Sequence, residues 1–173
     1  MSLSRLLTFL MLVLLTGCTR NSASNQNRGT LPSSTTPIRS ENVVQFASEA
    51  VQIPSGGSFE ATVHVTVKNG YHVNANPPTF SYLKATELDL NPSGGVSVAF
   101  IKYPNASLKK FPFADQPVAI YEGDTELKVL LKAAPAAAKG SSNLAGKLKV
   151  QACDDQVCYP PGEIVIAIPV TVK

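Results

Sequence analysis

Residues 151–163, QACDDQVCYPPGE, hold two of the chain's three cysteines, Cys153 and Cys158, with four residues between them. Two thiols at this spacing have three available chemistries: a closed structural disulfide, a redox pair that opens and closes, or part of a metal site. The run KLKVQAC (147–153) alternates, with Leu148, Val150 and Ala152 on one face and Lys147, Lys149, Gln151 and Cys153 on the other. This pattern predicts a strand whose first thiol lies outside the hydrophobic core. Asp154 to Val157 then reads as a four-residue hairpin loop that sets Cys153 opposite Cys158. Directly opposed Cβ atoms lie about 4.5–5.5 Å apart, against about 3.5–4.5 Å in a relaxed disulfide, so a bond is feasible with some strain.

A closed loop of about six residues gains only roughly 2 kcal/mol from lost chain entropy. As a staple the pair is weak, and its reducibility becomes the more informative property. A structural zinc site needs about four ligands, and only His64 and His72 are on hand to complete the set, so no metal is expected. Asp154 and Asp155 oppose formation of a thiolate beside them, which suits a pair that exchanges only with a docked partner. They equally suit a solvated turn. Tyr159 and the two prolines that follow, Pro160 and Pro161, stiffen the exit from the hairpin and blunt its edge.

The N-terminus bears on the cysteine count. One early charge, Arg5, precedes an apolar run from Leu6 to Leu15, too short for the ~20 residues that span a bilayer, and small residues lead to Cys18. This is the anatomy of an export signal over residues 1–17. Leu15-Thr16-Gly17-Cys18 resembles the lipobox of bacterial lipoproteins, which implies that Cys18 carries a lipid and anchors the chain to a bilayer. Thr19 in the next position points weakly to the outer membrane. With Cys18 consumed, Cys153 and Cys158 remain as each other's partners in a compartment where disulfides persist.

Residues 18–40 are nearly all polar or turn-forming and read as a disordered tether. Residues 41–173 make one domain, large enough to bury a core without a disulfide. Leaving out Arg5, 14 basic residues stand against 12 acidic ones. That balance, with no basic stripe and no aromatics interleaved with Lys or Arg, excludes nucleic acid as a partner.

The elements that must position the thiols are strands. FEATVHVTVK (59–68) alternates strictly, and Asn69-Gly70 after it suits a tight hairpin turn into Tyr71-His72-Val73-Asn74. TELDL (86–90), VSVAFIKY (96–103), AIYEG (119–123), ELKVLLKA (126–133) and EIVIAIPVTV (163–172) continue the pattern, separated by NPSGG, EGD and KGSSN as turns. Pro135 interrupts the alanine run 134–138, which is expected to be a linker. Seven or more short strands without an amphipathic helix predict an all-β, immunoglobulin-like β-sandwich, with a small barrel as the alternative.

QACDDQVCYPP, with GYHVNANPP (70–78), YLKATEL (82–88) and KFPFADQPVAIYEG (110–123), resembles the N-terminal periplasmic domain of the thiol:disulfide interchange protein DsbD. The resemblance covers most of residues 45–172 and implies an immunoglobulin-like domain that passes reducing equivalents through its cysteine pair. It implies Cys158 as the thiol that forms mixed disulfides and Cys153 as the thiol that resolves them, with no cofactor. It also implies a shielding phenylalanine, for which Phe113 is the first candidate and Phe111 the second. His72, Asn74 and Tyr159 are candidates for lining the site. The expected partners are thioredoxin-like periplasmic proteins and a membrane-embedded electron-transfer protein, acting in trans because no such domain follows in this sequence. The competing expectation is a lipoprotein interaction module with a passive disulfide, since no Ser/His/Asp grouping or phosphate-binding glycine loop is present.

Overall fold

The computed structural model describes residues 37–173; the export signal, Cys18 and the tether up to residue 36 lie outside the described residues. A 3-10 turn at Ser40–Asn42 leads into twelve strands: β1 (Val44–Ser48), β2 (Val51–Ile53), β3 (Ser58–Val67), β4 (His72–Asn74), β5 (Glu87–Leu90), β6 (Val96–Lys102), β7 (Ser107–Lys109), β8 (Val118–Tyr121), β9 (Asp124–Ala133), β10 (Gly140–Val150), β11 (Ala152–Cys153) and β12 (Gly162–Val172). They form three four-stranded sheets, ordered β1-β3-β9-β6, β2-β12-β10-β5 and β11-β4-β8-β7. Every pairing is antiparallel except β2 on β12. The architecture is the all-β, immunoglobulin-like sandwich that the strand pattern predicts.

The main core follows from the alternation. Ala61, Val63, Val65 and Val67 of β3, with Leu127, Val129 and Leu131 of β9, belong to one buried cluster with Leu144, Leu148 and Val150 of β10 and Ile166, Ile168 and Val170 of β12. Phe59, at the open end of β3, stays 44% exposed although it shares the inward parity. A second, smaller cluster of Leu83, Phe111, Ala114, Val118 and Ile120 underlies the third sheet, and Cys158 packs against it.

Two turn expectations change. Asn69-Gly70 does turn, with Gly70 at φ +84° and the Tyr71 N–H donating to the Lys68 carbonyl at 3.0 Å. It does not close a hairpin, because β1 and β9 already occupy both edges of β3; the chain crosses to the third sheet, where β4 lies between β11 and β8. Ser141 to Asn143, expected in a turn, extend β10 instead, since β12 offers partners along its whole length from Gly140↔Val172 to Val150↔Gly162. Local turn chemistry yields there to a long antiparallel ladder.

Candidate functional site

The site forms where β10 gives way to β11. Leu148 and Val150 point into the main core, Gln151 breaks the ladder, and the chain leaves the second sheet for the third. Ala152 still faces the main core, so Cys153 faces the other way, as the alternation requires. Its expected place outside the core needs correction in one respect: Cys153 is only 1% exposed. The third sheet supplies a second buried side that alternation within one strand does not reveal.

Cys153 and Cys158 are joined by a disulfide, with Cα atoms 3.9 Å apart and the residues paired as an antiparallel bridge. The Asp154 N–H donates to the Val157 carbonyl at 2.9 Å, and the Tyr159 N–H donates to Ala152 at 2.8 Å, so the expected four-residue loop is formed. The Asp154 carboxylate holds it: Oδ1 accepts the Gln156 and Val157 N–H groups, each at 2.8 Å, and Oδ2 accepts the Tyr159 hydroxyl at 2.5 Å. The Tyr159 hydroxyl and these backbone donors stabilise the ionised carboxylate and lower its pKa. The reciprocal effect pushes the Tyr159 phenol up to about 12. The Tyr159 ring also lies 6.0 Å from that of Tyr71.

On the other side of Cys153 stands β4, in register as Cys153↔His72 and Ala152↔Val73. His72, Cys153 and Cys158 therefore form one cross-strand row. His72 is 2% exposed, and its Nε2 has no hydrogen-bond partner. Burial, and then the nearby Lys109 ammonium, lower its pKa against the opposing pull of Asp155, Glu122 and Asp154. Asn74, two residues along on the same face, is bound from the side: its Nδ2 donates to Gln151 Oε1 at 3.0 Å and to the Lys84 carbonyl at 3.1 Å, while Oδ1 is buried and unpartnered.

The phenylalanine segment is the loop between β7 and β8. Phe111 is buried and stacks on His72 with ring centroids 4.4 Å apart; Phe113 is 42% exposed and stacks on Phe111 at 5.1 Å. Lys110 closes the loop on itself, its Nζ donating to the Ala114 carbonyl at 2.8 Å and to that of Asp115. Lys109 ties it to the cysteine hairpin, with Nζ 3.5 Å from Asp155, 3.6 Å from Glu122 and 5.4 Å above the Phe111 ring. Phe113, Phe80, Tyr82, Leu83 and Val157 line an open cleft of about 310 Å³ with Cys158 at its wall. Cys158 therefore meets the surface where Cys153 does not.

The structure thus brings Cys153, Cys158, His72, Phe111, Phe113 and Tyr159 together, with Asn74 one rung away. His64 stands apart on β3, 3.7 Å from Glu126, and among the described residues no group of three or more His, Cys, Asp or Glu side chains is placed to hold a metal. Two residues of the site were not among the candidates the sequence offered. Ser40, fully buried, donates to the Pro160 carbonyl at 2.6 Å and accepts the Ala152 N–H at 2.9 Å, clasping both arms of the hairpin. Gln151 accepts from Asn74 and from the Lys84 N–H at 2.9 Å. Gln151 opens the QACDDQVCYPP motif and falls on the polar face of its strand, but neither signal marks its reach to Asn74 and Lys84.

An immunoglobulin-like domain bearing a disulfide on a hairpin, flanked by a stacked aromatic loop, defines a class of small β-domains built around one cysteine pair. Residues 40–169 match the family described as "Thiol:disulfide interchange protein DsbD, N-terminal", and the chain belongs to that family. Among solved structures, the N-terminal periplasmic domain of ScsB from Proteus mirabilis is similar at 17% identity and TM-score 0.50, covering 72% of this chain and 44% of its own. The Neisseria meningitidis DsbD N-terminal domain in its reduced form is also 17% identical, at TM-score 0.45, covering 76% of this chain and 88% of its own. This chain thus spans less than half the length of the ScsB structure. No curated protein sequence matches it.

Proposed function

We propose that this domain is a periplasmic thiol:disulfide exchange module, passing reducing equivalents through Cys153 and Cys158 from a membrane-embedded donor, in trans, to thioredoxin-like proteins. Membership of the DsbD N-terminal family and the periplasmic location printed for the ScsB domain support this reading. A single observation carries the division of labour: Cys158 borders an open cleft, whereas its partner Cys153 is 1% exposed. The reachable sulfur is the one that attacks; the buried one resolves.

In the reduced domain, the Cys158 thiolate attacks one sulfur of a partner disulfide, expelling the other as a thiolate. Cys153 then attacks the Cys158 sulfur of the mixed disulfide. The second partner thiol leaves, the Cys153–Cys158 bond forms, the partner gains two electrons and the domain loses two. Phe113 flanks the cleft at Cys158 and Phe111 belongs to the cluster that Cys158 packs against. Their loop would narrow access to the pair until a partner displaces it, limiting attack by stray thiols and oxidants. The lipid on Cys18 would hold the domain at a bacterial membrane, the outer one by the Thr19 signal.

A Cys153→Ser variant tests the reading. Expressed in the periplasm of a host that supplies a DsbD-type donor, it should accumulate mixed disulfides through Cys158 with thioredoxin-fold proteins. Failure to trap any, together with a reduction potential below about −300 mV, would identify a passive structural disulfide instead.

A further inference from the structure

His72 takes no part in the exchange steps above, yet it is a buried titratable group beside them. It sits in register with Cys153, on the side opposite Cys158. Side chains directly opposed in an antiparallel pair share a face, with Cβ atoms about 4.5–5.5 Å apart, which places an imidazole within reach of the Cys153 sulfur. The ring is 2% exposed, is stacked on Phe111, and has an Nε2 that no group among the described residues satisfies. An orphaned buried nitrogen is destabilising, and a disulfide sulfur is at best a weak partner for it. A Cys153 thiol, present only after reduction, offers a hydrogen to Nε2 in the tautomer that carries its proton on Nδ1.

We propose that His72 is the proton acceptor for Cys153, the base that activates the buried thiol as it resolves the mixed disulfide. The proposal rests on the exchange reading and assigns that reading its proton path. The Cys153 S–H bond breaks, its proton passes to His72 Nε2, and the sulfur's electron pair forms the bond to Cys158. The Cys158–partner bond breaks, and the departing thiolate takes its charge with it. The imidazolium then returns the proton to that thiolate or to water, leaving neutral imidazole, a closed disulfide and a free partner thiol.

A buried thiol needs such help, because desolvation disfavours its thiolate and Asp154 and Asp155 add like charge nearby. The groups around the ring keep it in the accepting form. Burial and Lys109 on β7 lower its pKa, outweighing Asp154 and Asp155 from the hairpin loop and Glu122 after β8. These influences favour the neutral form of the imidazole, the form that can accept a proton.

The reaction of the reduced, purified chain with 5,5′-dithiobis(2-nitrobenzoate) separates the steps. Release of the first nitrothiobenzoate depends on reagent concentration and reports attack by Cys158; release of the second is unimolecular and reports resolution by Cys153. The wild-type second phase should rise with pH through an inflection below 6.5 and be at least about tenfold faster at pH 7 than in His72→Gln or His72→Phe, whose rates should follow thiol ionisation alone. His64→Gln, on the outer face of β3, should match wild type. A folded His72 variant with the wild-type rate and profile would overturn the proposal. So would a wild-type second phase with only a thiol-like inflection near pH 8.5 or above, a readout that needs no variant to fold. Absence of any second phase would instead sink the exchange reading beneath it.

Discussion

Phe111 stacks on His72 with ring centroids 4.4 Å apart and planes inclined by 24°, and both side chains are buried. This contact joins the β7–β8 loop to β4, which pairs with the cysteine strand, so the aromatic loop and the disulfide hairpin flank one strand. Phe113, the outer ring of the stack, adds a second layer that solvent still reaches.

Removing the inner ring should open the site. Phe111→Ala is expected to destabilise the domain by about 3–5 kcal/mol and to speed reduction of Cys153–Cys158 by dithiothreitol several-fold. Phe113→Ala should cost far less stability while still speeding reduction. Urea melts and timed alkylation after dithiothreitol would check both. Equal reduction rates in wild type and Phe111→Ala would mean that the loop does not shield the pair.

The Asp154 carboxylate organises the hairpin, and its lowered pKa fixes the pH at which that matters. A carboxyl group whose folded pKa lies below its ordinary 3.8 contributes stability fully above that value and loses it as pH falls through the folded pKa. Asp154→Asn should therefore lower the melting temperature at pH 7, with the gap to wild type closing as pH falls below 3.8 and through the folded pKa. A gap independent of pH would refute the charge-based account.

Lys109 and Asp155 pull the His72 pKa in opposite directions. In Lys109→Met the imidazole pKa should rise toward 6.5, and in Asp155→Asn it should fall further; NMR titration of the ring protons would show either shift. Both changes should alter stability by less than about 1 kcal/mol, because the ion pair is solvent-exposed. Shifts of the opposite sign would mean that the loops around the ring are arranged differently in solution.

Ser40→Ala should cost about 1–3 kcal/mol, since it leaves the Ala152 N–H and the Pro160 carbonyl without their partner. Gln151→Ala should cost a similar amount by stripping the Asn74 amide of its side-chain acceptor. Denaturant melts of each variant would measure these losses. A cost below about half a kcal/mol would show that water replaces the lost group.

The sequence alone determined the period-two strands, the all-β class, the four-residue hairpin loop and the pairing of Cys153 with Cys158. The strands and the loop rest on residues close in the chain, where side-chain alternation and turn chemistry decide; the pairing rests also on the cysteine count, with Cys18 read as lipidated. It also carried the motifs of the family to which the chain belongs. Only the tertiary structure decided that Cys153 is buried, because its cover comes from the third sheet, whose strands are drawn from residues 72–74 and 107–121. The same holds for the turn at Asn69-Gly70, which joins two sheets because both edges of β3 were already taken. Ser40 reaches Ala152 across 112 residues of chain, and Gln151 reaches Asn74 across 77. No local pattern encodes such contacts; they form because most polar groups that a closed sandwich buries must find partners from distant parts of the chain.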